Sequence, residues 1–120
     1  MHMRERERIL EATPAAFFAL SSGREPVREW LKSLDDDARK IIGEDIKDVE
    51  FSWPIGMPLC RSLGGGLWEV GSQLADGRIS RVLFCVSEEQ MVLLHGFMKK
   101  AQKTPKQELD LARKRMKEFA

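Results

Sequence analysis

The fold is decided by the stretch Leu67-Trp68-Glu69-Val70-Gly71-Ser72-Gln73-Leu74-Ala75-Asp76-Gly77-Arg78-Ile79-Ser80-Arg81-Val82-Leu83-Phe84-Cys85-Val86. Leu67 to Leu74 and Ile79 to Val86 have the composition of strands, and Ile79 to Val86 is the clearest strand in the chain. Between them Ala75-Asp76-Gly77 is a tight hairpin turn, because Asp-Gly readily takes positive φ. Working outward, Gly64-Gly65-Gly66 separates this hairpin from an earlier strand candidate, Leu59 to Leu63. On the other side Ser87-Glu88-Glu89-Gln90 turns the chain again, and Met91 to Phe97 returns as the last strand. The reading is a short antiparallel sheet.

Farther out the period becomes helical. Pro26 suits a first helical turn, where its missing N–H has no partner to lose. Val27, Trp30, Leu31 and Leu34 follow at the spacing of one helix face. Asp35 is placed to cap a second helix, with Asp36 and Asp37 at its positive end. Ala38, Ile41, Ile42, Ile46, Val49 and Trp53 extend its apolar stripe until Pro54 stops it. Ahead of these helices, Pro14 to Leu20 is the length of a buried first strand, and residues 1–13 read as an N-terminal extension. Beyond the sheet, Thr104-Pro105-Lys106-Gln107 reads as an N-cap, a proline at the first position and a capping-box glutamine. Leu109, Ala112, Met116 and Phe119 are the expected buried stripe of a final helix. The expected fold is α+β, a small antiparallel sheet packed against two N-terminal helices, with a basic C-terminal helix, all one domain over 1–120.

Composition bounds the function. With 120 residues the chain has room for one domain core and not two. Hydrophobic residues at 42% and charged residues at 32% fit neither a disordered nor a membrane-spanning chain. No apolar run approaches the roughly 18–20 residues of a membrane span. Met1-His2-Met3-Arg4-Glu5-Arg6-Glu7-Arg8 lacks the apolar centre of a secretory signal. Cys60 and Cys85 make no disulfide framework, and no His/Cys spacing points to a metal. The expectation is a cytoplasmic protein with no membrane partner, no metal and no small-molecule cofactor. Net charge is only +1, but residues 91–120 carry 8 Lys/Arg against 3 Asp/Glu, whereas residues 1–50 carry 9 against 12. That polarity suits either a cationic face for a phosphate-bearing partner or a solvated lysine-rich helix.

Each chemical motif has a plain structural alternative. Gly64-Gly65-Gly66 lacks the Walker lysine and does not open a helix, so it reads as a turn between strands. Asp35, Asp36 and Asp37 are explained by capping. Cys85 on a central strand reads as an inert core thiol. Three features remain. Arg81 interrupts an apolar strand, on the face of Ile79, Leu83 and Cys85 and opposite Val82, Phe84 and Val86. It must either pair, for instance with Glu69 on the neighbouring strand, or face a cleft. His95 near the end of the last strand is either a hydrogen-bonded core residue or a proton-transfer group. Lys99, Lys100 and Lys103, between the sheet and the final helix, are either solvated or convergent. Together these residues would form one cationic hollow able to hold a phosphodiester and stabilise its transition-state charge. Without metal ligands, the natural reaction is attack by an RNA 2′-hydroxyl on its own phosphate, which DNA cannot perform.

Leu67-Trp68-Glu69-Val70, Arg81-Val82-Leu83-Phe84, Leu93-Leu94-His95-Gly96-Phe97-Met98-Lys99-Lys100 and Gln102-Lys103-Thr104-Pro105 together resemble the signature of the HigB-like, phage-derived branch of the RelE/ParE toxin superfamily. Gly23-Arg24-Glu25-Pro26-Val27-Arg28-Glu29-Trp30-Leu31 is similar to the same branch, and the likeness spans about residues 14–118. The resemblance implies the toxin of a type II toxin–antitoxin system that inhibits growth as a metal-independent, ribosome-dependent mRNA endonuclease. It implies a cognate helix-turn-helix antitoxin and mRNA on the ribosome as partners. By position it carries Arg81, His95 and Lys99 into the catalytic site, with Arg61, Arg78, Lys100 and Lys103 on flanking RNA. The branch usually reads Leu-Trp-Glu-Leu/Val-Arg, whereas Gly71 stands here in the arginine's place, and the chain has no tyrosine, which some relatives use as a base. The same scaffold also serves ParE-like inhibitors of DNA gyrase that cut nothing, and degenerate domains that only bind their antitoxin.

Overall fold

The computed structural model describes residues 12–54, 60–100 and 102–119. Among them the elements run β1 (Ala15–Phe17), α1 (Pro26–Lys32), α2 (Asp36–Ser52), β2 (Cys60–Gly64), β3 (Leu67–Gln73), β4 (Ile79–Ser87), β5 (Gln90–Met98) and α3 (Lys106–Met116), closed by a 3₁₀ turn at Lys117–Phe119. Leu59 and residues 1–11 of the expected extension lie outside the described residues, as does the Phe119 side chain. Within that extension, the Thr13 amide donates to the Glu50 carbonyl at the end of α2.

The sheet order is β1-β5-β4-β3-β2. From β2 to β5 the pairings are antiparallel, as the hairpin turns require. The expectation of a purely antiparallel sheet is corrected at β1, which pairs parallel to β5 with Ala15 opposite Met91 and Phe17 opposite Leu93. Two helices and three strands separate these partners in sequence, so no turn chemistry announces the pairing. The three turns differ in how they reach positive φ. Gly65 and Gly66 supply it at both central positions of the β2–β3 hairpin. In the β3–β4 hairpin only Gly77 does, after a turn closed by the Gly77 amide on the Leu74 carbonyl, so Asp76 is not the left-handed residue. Its carboxylate instead accepts from the Arg78 amide, and this bond with the Arg78 guanidinium holds the acid below its usual range. In the β4–β5 hairpin Glu88 and Glu89 both adopt positive φ without glycine.

Helices cover both faces of the sheet, α1 and α2 on one and α3 on the other. On one face Val27 of α1 and Ala38, Ile42, Ile46 and Val49 of α2 pack on Val70, Val82, Phe84, Met91 and Leu93. Asp35 caps α2 as expected, accepting from the Ala38 amide at 3.2 Å. Trp53 closes that helix edge-on to Trp68 and Phe84, with ring centroids 4.8 and 5.5 Å away. Such pairs add about 0.5–1.5 kcal/mol each beyond burial. On the opposite face α3 brings Ala112, Leu109 and Met116 onto Leu67, Leu83, Cys85, Val92 and Leu94. Alternation along β4 therefore divides as read, with Val82 and Phe84 on one side and Leu83 and Cys85 on the other.

One irregularity governs the site. Leu83 pairs with His95 but Phe84 pairs with Leu93, which leaves Leu94 as an extra residue in β5. This β-bulge resets the alternation. The Leu94 carbonyl accepts from Arg115 of α3 at 2.7 Å. Without the bulge His95 would follow Met91 and Leu93 toward α1 and α2. With it, His95 faces α3.

Candidate functional site

The α3 face of the sheet is apolar at one end and charged at the other. At the charged end Arg61 of β2 lies opposite Glu69 of β3, and Arg81 of β4 lies opposite Gly71, one pleat farther along the same face. Glu69 is buried, with its side chain 4% exposed, so its charge must be compensated in place. Its Oε1 accepts from Arg61 Nε at 2.6 Å and from the Arg81 guanidinium, and its Oε2 accepts from the Thr104 hydroxyl at 2.8 Å. Arg81 is 11% exposed, whereas Arg61 is 51% exposed. Arg81 is therefore a structural ion-pair partner, the pairing with Glu69 raised from sequence, and its buried Nε has no hydrogen-bond partner among the described residues.

The expected N-cap at Thr104 is corrected by the same network. Pro105 occupies the cap position of α3 with no side-chain cap, because the Thr104 hydroxyl is turned inward to Glu69. A buried carboxylate gains more from that donor than an exposed helix end gains from a cap.

Lys99 and Lys100 lie just past β5. With Arg78, Gly77, Ile79 and Gln102 they line an open depression of about 410 Å³. Arg78 is neutralised there by Asp76 at 2.6 Å and Asp35 at 3.3 Å. Lys99, Lys100 and Lys103 have no carboxylate partner among the described residues. Lys100 also lines a second cleft of about 400 Å³ beside Trp30, His95, Phe97, Gln107 and Glu108. Here His95 Nε2 meets Glu108 Oε2 at 2.9 Å, both largely buried, and the imidazole stacks on Phe97 with centroids 5.6 Å apart. Arg81 lines neither hollow.

The model of the phage-derived protein Gp49-like family matches residues 29–117, most of the chain and all of this geometry. The chain belongs to the phage-derived Gp49-like family. That family is associated with RelE/HigB-type toxins, which supports a toxin role for this Gp49-like chain and an antitoxin as its partner. No curated protein matches it significantly.

In this Gp49-like chain the expected site residues do not gather in one hollow. Lys99, Lys100 and Arg78 share the first depression, Lys100 and His95 share the second, and Arg61 and Arg81 meet on Glu69. Lys103 is exposed and lines neither depression. Sequence reasoning missed Glu108 as the partner of His95. Only the bulge turns His95 toward α3, and no local signal marks it. Cys60 and Cys85 are buried, and burial pushes both thiols up, away from the reactive thiolate. Among the described residues no three His, Cys, Asp or Glu side chains form a metal-binding group, and no helix is long and apolar enough to cross a membrane.

Proposed function

We propose that this chain is a HigB-like toxin that cuts messenger RNA on the ribosome by 2′-hydroxyl attack. The observation that carries this reading is a lysine pair, Lys99 and Lys100, lining one depression with no carboxylate partner among the described residues and reaching through Lys100 to the cleft of the His95–Glu108 pair. In the reaction the 2′-oxygen forms a bond to the adjacent phosphorus as its proton leaves. The bond from phosphorus to the 5′-oxygen breaks, and that oxygen gains a proton. The products are a 2′,3′-cyclic phosphate and a 5′-hydroxyl. Lys99 and Lys100 stabilise the charge gathering on the phosphoryl oxygens. His95, oriented by Glu108, is the proton-transfer group. Arg61, Arg78 and Lys103 steer the flanking strand, and a helix-turn-helix antitoxin covers this cationic end. Arg81 reaches the phosphate only by exchanging Glu69 for it. With that pair closed, Arg81 acts by holding Glu69, and through it Thr104, beneath the lysine-bearing connection.

Message 5′ ends mapped after induction test this reading. The wild-type chain should produce position-specific cuts, and Lys99→Ala/Lys100→Ala should abolish both cuts and growth arrest with the unfolding midpoint unchanged. Full toxicity of the double variant would overturn the assignment. A second reading, a ParE-like gyrase inhibitor without cleavage, is favoured by two observations: Gly71 removes a cation from β3, and Glu69 holds Arg81. Gyrase-linked DNA breaks with intact messages would select it.

A further inference from the structure

Beside the lysine depression lies a cleft whose construction answers to a base and not only to a phosphate. It occupies the edge of β5 that β1 leaves open, since β1 pairs only with Met91 to Leu93. The Met91 amide and the Leu93 carbonyl bond toward the β1 side. Past the bulge the Lys99 amide bonds back to Ile79 of β4. Alternation then turns the backbone groups of Gly96 and Met98 toward the open side. The cleft is walled by Trp30 of α1, by the stacked His95 and Phe97, and by Gln107 and Glu108 of α3. Trp30 is seated directly over Gly96, where a Cβ would collide with carbons of its ring. The volume, about 400 Å³, falls within the range of small-molecule sites.

Resting on the reading of this end of the molecule as an RNA site, we infer that the cleft is a nucleobase pocket, selecting the nucleotide whose phosphate lies at Lys99 and Lys100. Three features argue for it. Aromatic faces supply stacking, which contributes about 1–3 kcal/mol per base in single-strand recognition. The Gln107 amide and the strand-edge backbone offer donors and acceptors to a base edge, as bidentate readers do. Lys100 lines both the cleft and the depression, so base and phosphate have a common boundary. Gln107 is an exposed first-turn residue of α3, and the capping role expected for it is absent, which leaves its amide available.

The test is binding of AMP, GMP, CMP, UMP and ribose 5-phosphate to the full chain, followed by backbone amide shifts. At least one nucleotide should bind roughly 5- to 150-fold tighter than ribose 5-phosphate, the range that stacking supplies. The amides of Gly96 and Met98 should shift with nucleotide. Gln107→Ala should compress the differences among the four nucleotides and leave ribose 5-phosphate binding unchanged, whereas Lys100→Ala should weaken all five. Equal affinity for nucleotides and ribose 5-phosphate, or no binding at millimolar concentration, overturns the pocket. Shifts of the same amides by an alternating Val–Thr heptapeptide but not by any nucleotide would also overturn it, making the edge a docking strand for a protein. Message mapping separates this inference from the function it rests on. Cuts without base preference would leave the nuclease standing and remove the pocket, and base-selective binding without cuts would do the reverse.

Discussion

The two faces of the sheet solve burial in different ways. Under α1 and α2 the contacts are almost wholly apolar, Val70, Val82, Phe84 and Leu93 against Ile42, Ile46 and Val49. Under α3 the apolar part stops short, and the remainder is Glu69 shared by Arg61, Arg81 and Thr104, with His95 on Glu108 nearby. Apolar packing is non-directional and tolerates substitution within volume limits, whereas each buried charge depends on particular partners. The charged face is therefore the more fragile one.

The largest effect should come from breaking that face at its least exposed pair. Arg81→Ala removes the most buried cation on Glu69, leaving Arg61 and Thr104, and should destabilise the fold by about 1.5–3 kcal/mol. Arg61→Ala, at the half-exposed partner, should show far less by urea unfolding. Growth arrest lost in Arg81→Ala would thus report folding as much as chemistry, so the lysine variants are the cleaner probe of the site. If Arg81→Ala unfolds at the wild-type midpoint, the buried network is not holding this face.

The opposite face is tested at its tightest approach. Gly96→Ala places a methyl group in the Trp30 ring and should destabilise by about 1–3 kcal/mol, the range for overpacking, in thermal unfolding. Ser72 and Ser80 are buried polar residues on this side, and the Ser80 hydroxyl has no hydrogen-bond partner among the described residues. Ser80→Ala should be neutral or stabilising by up to about 1 kcal/mol, since removing an unsatisfied group relieves its desolvation. A clear loss would show that the hydroxyl is satisfied in solution.

The smallest effect on stability belongs to Gly71→Arg. A Cβ there meets nothing nearer than the Ser80 carbonyl at 4.0 Å, and Gly71 needs no positive φ. The variant should fold normally and raise affinity for a short oligoribonucleotide, with the gain fading as salt is increased. Unchanged affinity would show that this position does not border the RNA.

Much of this was legible beforehand because it is written locally. Hairpin glycines, the Asp35 cap, the apolar stripes of α1 and α2 and the facing of β4 each depend on residues within a few positions of one another. The Arg81–Glu69 pair was half legible, since alternation put the arginine on one face and left only a choice between partner and cleft. The Thr104 cap was misread because its local motif was complete. A carboxylate 35 residues away outbid the helix end for the hydroxyl.

By itself, then, the chain's order of residues determined which segments become helix or strand and which side of β4 each residue takes. Tertiary structure alone decided that β1 joins β5 in parallel, that a bulge turns His95 to Glu108, and that Arg81 is held on Glu69. The reason is range. Periodicity and turn chemistry act between near neighbours, whereas the partner of a buried charge is settled by desolvation and Coulomb energy among groups that only the finished fold brings within 3 Å.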